Sequence, residues 1–134
     1  MKSAIDVGAK YIISPGLNPK VVEYCVVNEI PITPGIATPS DVERALEFNL
    51  EVVKYFPAEA LGGIGYLKAI SAPYGNLKFI PTGGIDEKNL SGYLQFAKVL
   101  ACGGSWMVKN ELISNKKFDE IKNHINKFLF KINF

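Results

Sequence analysis

The chain has 134 residues, 48% of them apolar and 21% charged, with a formal net charge of +2. That balance suits one globular domain and excludes a disordered chain, and a single arginine, Arg44, with no basic block argues against a nucleic-acid surface. No run approaches the roughly 18 apolar residues of a membrane span, and Asp6 falls where a signal peptide needs its apolar stretch, so a cytoplasmic chain without membrane contact is expected.

Read in chain order, short apolar runs alternate with amphipathic stretches. The first run, Tyr11-Ile12-Ile13-Ser14, ends in Pro15-Gly16, and Asn18-Pro19 then opens a helical pattern carrying Val21, Val22, Cys25 and Val26. The second, Ile30-Pro31-Ile32-Thr33, ends in Pro34-Gly35. After it, Thr38-Pro39-Ser40-Asp41 has the form of a capping box, and Val42, Ala45 and Leu46 follow on one helical face. The third run, Val52-Val53-Lys54-Tyr55-Phe56, leads into Pro57-Ala58-Glu59 and the flexible Gly62-Gly63. The fourth, Lys78-Phe79-Ile80, leads into Pro81-Thr82-Gly83-Gly84, after which Asp86 is placed to cap a helix bearing Leu90, Tyr93 and Leu94. The fifth, Lys98-Val99-Leu100-Ala101-Cys102, ends in Gly103-Gly104. From about Phe118, Ile121, Ile125, Phe128, Leu129 and Ile132 form a helical stripe between solvated lysines.

Each run is brief, β-branched or aromatic, and apolar on both faces, as in a buried parallel strand. Their starts lie roughly 20 to 26 residues apart, too far for hairpins and right for βαβ crossovers. A minimal (β/α)8 barrel uses ~25 residues per unit, so 134 residues hold about five. Five parallel strands form either an open doubly wound sheet or an incomplete barrel, and periodicity does not separate them.

The candidate chemistry lies after the strands. Lys54 sits in an otherwise apolar strand, where desolvation favours a neutral, nucleophilic amine of the kind that condenses with a ketone; the alternative is a strand-end lysine reaching solvent, as expected of Lys78 and Lys98. Gly83-Gly84 and Gly103-Gly104 follow the last two runs, where barrels bind phosphate through backbone N–H groups and a helix start; the alternative is two tight turns. Glu59 reads as a surface loop carboxylate before a general base, and Trp106 as packing under the last loop. Neither a dinucleotide fingerprint nor a P-loop is present. Cys25 and Cys102 lie in separate apolar segments and read as reduced, buried thiols, and the single histidine, His124, as a surface residue. No metal site is expected.

Taken in order, Ile13-Ser14-Pro15-Gly16-Leu17, Ile32-Thr33-Pro34-Gly35-Ile36-Ala37-Thr38, Val53-Lys54-Tyr55-Phe56-Pro57-Ala58-Glu59, Pro81-Thr82-Gly83-Gly84-Ile85 and Gly103-Gly104-Ser105-Trp106 resemble the 2-keto-3-deoxy-6-phosphogluconate (KDPG) and 4-hydroxy-2-oxoglutarate aldolase family, from about Ala4 to Phe118. The resemblance implies a lyase of class I on a (β/α)8 barrel, usually a trimer, acting on a small phosphorylated keto acid with no cofactor and no metal. It implies Lys54 as the Schiff-base residue and Thr82 as a holder of the pyruvyl carboxylate. Gly83, Gly84, Gly104 and Ser105 would cradle phosphate, with Pro15 and Phe56 lining the pocket.

One departure stands beside the match. The family's Glu-aliphatic-Thr-aliphatic-Arg stretch, carrying the proton-shuttling glutamate and a carboxylate-binding arginine, is not found here, and Arg44 lies in a helical pattern where it cannot substitute. The expectation is therefore one partial barrel domain over residues 1–134, corresponding to strands four to eight, with three βα units lacking and low activity in isolation. A rival is a non-catalytic half-barrel that binds phosphate or self-associates. A third reading, a thiamin phosphate synthase relative without a Schiff base, conflicts with the Lys54 context.

Overall fold

The structure is a computed structural model that describes residues 2–129, with side chains described for residues 4–126. Helix α1 (Lys2–Asp6) precedes β1 (Ile12–Ile13) and α2 (Pro19–Val27). Strands β2 (Ile32–Thr33) and β3 (Gly35–Ile36) are followed by α3 (Pro39–Glu47), β4 (Val52–Tyr55), α4 (Gly63–Ser71), β5 (Lys78–Pro81) and α5 (Leu90–Leu94). Helices α6 (Asn110–Ser114) and α7 (Phe118–Leu129) complete the order.

Every strand pairing is parallel. β1 pairs β2 with Ile12 opposite Ile32, β3 pairs β4 with Gly35 opposite Lys54, and β4 pairs β5 with Lys54 opposite Ile80. The second predicted run, Ile30–Thr33, supplies only β2, and the segment read as a turn after it goes on past Pro34, whose ring leaves no N–H to donate to a ladder, into β3; β2 pairs backwards to β1 and β3 forwards to β4. The fifth predicted run is not a continuous strand. It makes two isolated parallel bridges, Val99 with Phe79 of β5 and Gly103 with Thr82 just after it. The bridges are three residues apart along the β5 segment and four apart on the last run, so one extra residue interrupts the ladder as a bulge.

Alternation along the strands sorts the two faces of the sheet. Ile36, Val53, Tyr55 and Phe79 are buried and pack with Val42 and Ala45 of α3, Leu67 and Ile70 of α4, and Tyr93 of α5. A smaller cluster joins Val22 and Cys25 of α2 to Ile32. The opposite face, carrying Lys54, Phe56, Ile80 and Thr82, is half-buried. Burial of Tyr55, then its neighbours Tyr66 and Glu59, pushes its phenol up to about 12, and its hydroxyl donates to the Gly63 carbonyl at 3.3 Å.

Local chemistry fixes the helix starts. Thr38 and Asp41 form the expected capping box, with Thr38 Oγ1 accepting from the Asp41 amide and Asp41 Oδ2 accepting from the Thr38 amide. Asn18 caps α2 through the Lys20 amide. Asp86 does not cap α5 as expected: its carboxylate takes the amides of Lys88 and Asn89, and the helix begins only at Leu90, with Asn89 at its cap. Lys78 is exposed, as expected, whereas Lys98 is half-buried. Lys78 donates to the Ala97 carbonyl at 3.0 Å, and Lys98 donates to Ser71 and Tyr74 carbonyls at the end of α4, where a cation complements the helix dipole. Helix α7 starts at Phe118 as read from the sequence, with Ile121 and Ile125 half-buried; the side chains of Phe128, Leu129 and Ile132 lie outside the described residues. Cys25 is buried and Cys102 half-buried, neither in a disulfide, and His124 is exposed. Among the described residues no helix is long and apolar enough to cross a membrane.

Candidate active site

The chain leaves every strand of the sheet at the same end, and most residues singled out in the sequence gather there. Lys54 projects from β4, away from the helices. Its Nζ lies 4.3 Å from the centroid of the Phe56 ring, two residues on and therefore on the same face. The side chain is half-buried where full desolvation was expected. Its two in-register neighbours are Gly35 on β3 and Ile80 on β5.

Gly35 has no side chain for a steric reason: a Cβ there would lie 2.0 Å from the Pro15 carbonyl oxygen. The turn after β1 is thereby pressed against the strand beside Lys54, which brings Pro15 into the group. The sequence held a signal for this contact, a glycine inside a strand, which marks close backbone approach.

Thr82 follows β5 on the Lys54 face. Its amide donates to the Tyr55 carbonyl at 3.0 Å, and its methyl fills the place a side chain on Gly103 would need, 2.5 Å from that Cβ position. Its hydroxyl oxygen is buried and has no hydrogen-bond partner among the described residues. A buried polar atom left unpaired costs free energy, so it marks a place where a ligand atom has something to supply.

The two glycine turns come next. Gly83 and Gly84 both have positive φ, 92° and 83°, which an L side chain resists. A Cβ on Gly83 would meet the Phe56 ring at 3.2 Å, and one on Gly84 would meet the Glu59 stem at 2.6 Å. The Thr82–Gly103 bridge sets the Gly104-Ser105 turn beside this one, and the Trp106 ring occupies the space over Gly104, 1.7 Å from its Cβ position. Ser105 is exposed. Among the described residues, the amides of Gly83, Gly84, Gly104 and Ser105 have no protein acceptor. Neither turn runs directly into a helix, since α5 begins at Leu90 and α6 at Asn110, each only five residues long. The helix-start contribution expected from sequence is therefore replaced by exposed backbone amides alone.

Glu59 is turned away from Lys54's face. Its carboxylate accepts a 2.5 Å hydrogen bond from the Tyr93 hydroxyl, and burial followed by that bond raises the Tyr93 phenol's pKa. This pairing was not legible in the sequence, because it joins a loop residue after β4 to a helix residue 34 positions on. Among the described residues there is no cluster of side chains that could hold a metal ion.

Comparison with known proteins gives this arrangement a context. The family described as "Aldolase: KDPG and KHG aldolase" matches residues 1–124. A 2-dehydro-3-deoxy-phosphogluconate aldolase of Treponema pallidum is 49% identical over 114 residues, covering 85% of this chain and 54% of the relative. The KDPG aldolase of Legionella pneumophila, solved with pyruvate captured as a covalent carbinolamine intermediate, superposes with a TM-score of 0.88 at 39% identity, over 92% of this chain and 60% of that one. The Zymomonas mobilis enzyme, solved with 3-phosphoglycerate, gives a TM-score of 0.79 at 34% identity, over 81% and 52%. The chain spans about half the length of the curated relatives it matches.

Proposed function

Since the chain belongs to the KDPG and KHG aldolase family, we propose that it carries the Schiff-base half of a class I aldolase site, acting on 2-keto-3-deoxy-6-phosphogluconate and, as a second substrate, 4-hydroxy-2-oxoglutarate. The observation that carries this reading is the Lys54 amine on the same sheet face as the buried, unpaired Thr82 hydroxyl. The hydroxyl is suited to donate to the substrate carboxylate while Lys54 Nζ adds to the adjacent C2 ketone. Loss of water leaves an iminium. The C3–C4 electron pair then moves into it as the C4 hydroxyl proton leaves, which releases glyceraldehyde 3-phosphate and an enamine. Protonation at C3 and hydrolysis return pyruvate and the free lysine. Pro15 and Phe56 wall this pocket, and the free amides of Gly83, Gly84, Gly104 and Ser105 receive the phosphate.

The family's glutamate and arginine have no counterpart at matched positions in this sequence. General acid–base assistance is typically worth ~10²–10⁴-fold, so the 134-residue chain alone is expected to turn over slowly. A single partial barrel of strands four to eight, assembled as a homo-oligomer such as the family's trimer, fits the parallel order and its two ends. A cytoplasmic setting fits the two cysteines that form no disulfide. The competing half-barrel that binds phosphate without chemistry is separated by assay. Pyruvate release from the phosphorylated substrate, measured with this chain and with a complete barrel carrying it, should be slow and fast respectively, and absent from both in Lys54→Ala. Equal rates in Lys54→Ala and the parent would leave phosphate binding as the better account.

A further inference from the structure

The turn at Thr82–Gly84 has its polarity set from one side. In a planar trans peptide, the C=O of one residue and the N–H of the next point in opposite directions. The Thr82 carbonyl accepts from the Ala58 amide at 2.8 Å, and the Gly83 carbonyl from the Glu59 amide at 3.0 Å. The Gly84 carbonyl accepts from Asn89 Nδ2 at 3.0 Å. Three successive carbonyls are thus drawn into the protein, and the N–H groups of Gly83, Gly84 and Ile85 are turned the other way. None of the three has an acceptor among the described residues.

The first two carbonyls are held by backbone, but the third is held by a side chain alone. Asn89 is itself fixed in orientation, since its Oδ1 accepts from the Asp86 amide at 2.9 Å, which leaves Nδ2 for Gly84. The segment supplying the backbone bonds is anchored by the Glu59 carboxylate on the buried Tyr93 hydroxyl, with the Glu59 stem packed where Gly84 lacks a Cβ. We infer that Asn89, together with the Glu59–Tyr93 pair, is a positioning residue that aims three consecutive backbone amides at the phosphate of the substrate. The inference rests on the phosphate reading above, and in it none of the three side chains touches the ligand.

Inorganic phosphate is the probe, titrated into the isotopically labelled chain while amide shifts are followed by NMR. In the parent, the amides of Gly83, Gly84 and Ile85 move, and in Asn89→Ala the apparent affinity falls by about tenfold, the scale of one lost hydrogen bond. The core amides of Val53 and Leu67 report that the fold is intact. Tyr93→Phe, which removes one oxygen from the other anchor, gives a similar loss and decides the matter should Asn89→Ala fail to fold. Parent-like affinity in both variants would overturn the inference and leave the phosphate site standing. Unmoved amides in the parent at saturating phosphate would overturn the phosphate reading and the inference with it.

Discussion

Thr82 concentrates the residue-scale argument, because its hydroxyl is a liability to the fold and an asset to the proposed site. Thr82→Val keeps the methyl that packs on Gly103 and removes an unpaired buried oxygen. Such a change should leave stability equal or raise it by about 1 kcal/mol while weakening pyruvate capture, measured by urea denaturation beside imine trapping. A clear loss of stability would mean that the hydroxyl already has a partner. The buried phenols give a second test. Tyr55 ionises near 10.0 when unfolded and about 12 when folded, so the folded chain holds that proton more tightly. Its contribution is complete below pH 10 and is lost as pH rises through about 12, and Tyr93 is shifted in the same direction. Stability followed by circular dichroism should therefore fall across that window, with ultraviolet tyrosinate absorbance showing late ionisation. Ionisation of all six tyrosines near pH 10 with the fold retained would contradict it.

Among the elements, those whose cause is local are legible in the sequence. The Thr38–Asp41 capping box, the Asn18–Pro19 helix start and the run around Lys54 need only neighbouring residues, and all three stand where pattern and turn chemistry put them. What is not legible depends on distant partners. The extra strand β3 beyond Pro34 requires knowing that β4 lies beside that segment while β1 lies beside β2, and the bulge opposite β5 depends on the register of distant segments. Lys98 looks like a strand-start lysine until α4 ends against it. In the site, the Gly-Gly turns are visible as motifs, whereas Asn89 and Tyr93 look like an ordinary loop amide and a core aromatic. The close contact between the first turn and β3 can be tested directly. Gly35→Ala places a methyl on the Pro15 carbonyl, a backbone atom that cannot swing aside, and should destabilise the chain by at least ~1–3 kcal/mol in chemical denaturation. A parent-like midpoint would show that the turn after β1 does not press on Lys54's neighbour.

At the scale of the whole molecule, the residues proposed to form and hold an imine are separable from those proposed to make it turn over. Lys54, Thr82, Pro15 and Phe56 all belong to this chain, which spans about half of its curated relatives. Among the described residues the strands form a two-stranded sheet, β1-β2, and a three-stranded sheet, β3-β4-β5, with β1 and the bridged Lys98–Cys102 run at the two ends of the order, where Tyr11, Ile13 and Leu100 are exposed. Edges of that kind favour association with another sheet and make closure of the barrel matter for positioning. Capture of pyruvate needs less: an accessible amine and a donor for the carboxylate. The most direct test is borohydride reduction of the 134-residue chain in the presence of pyruvate, followed by peptide mass mapping. The account predicts a single adduct, on the peptide that contains Lys54, and none in Lys54→Arg. An adduct on any other lysine, or no adduct in the parent chain, would contradict it.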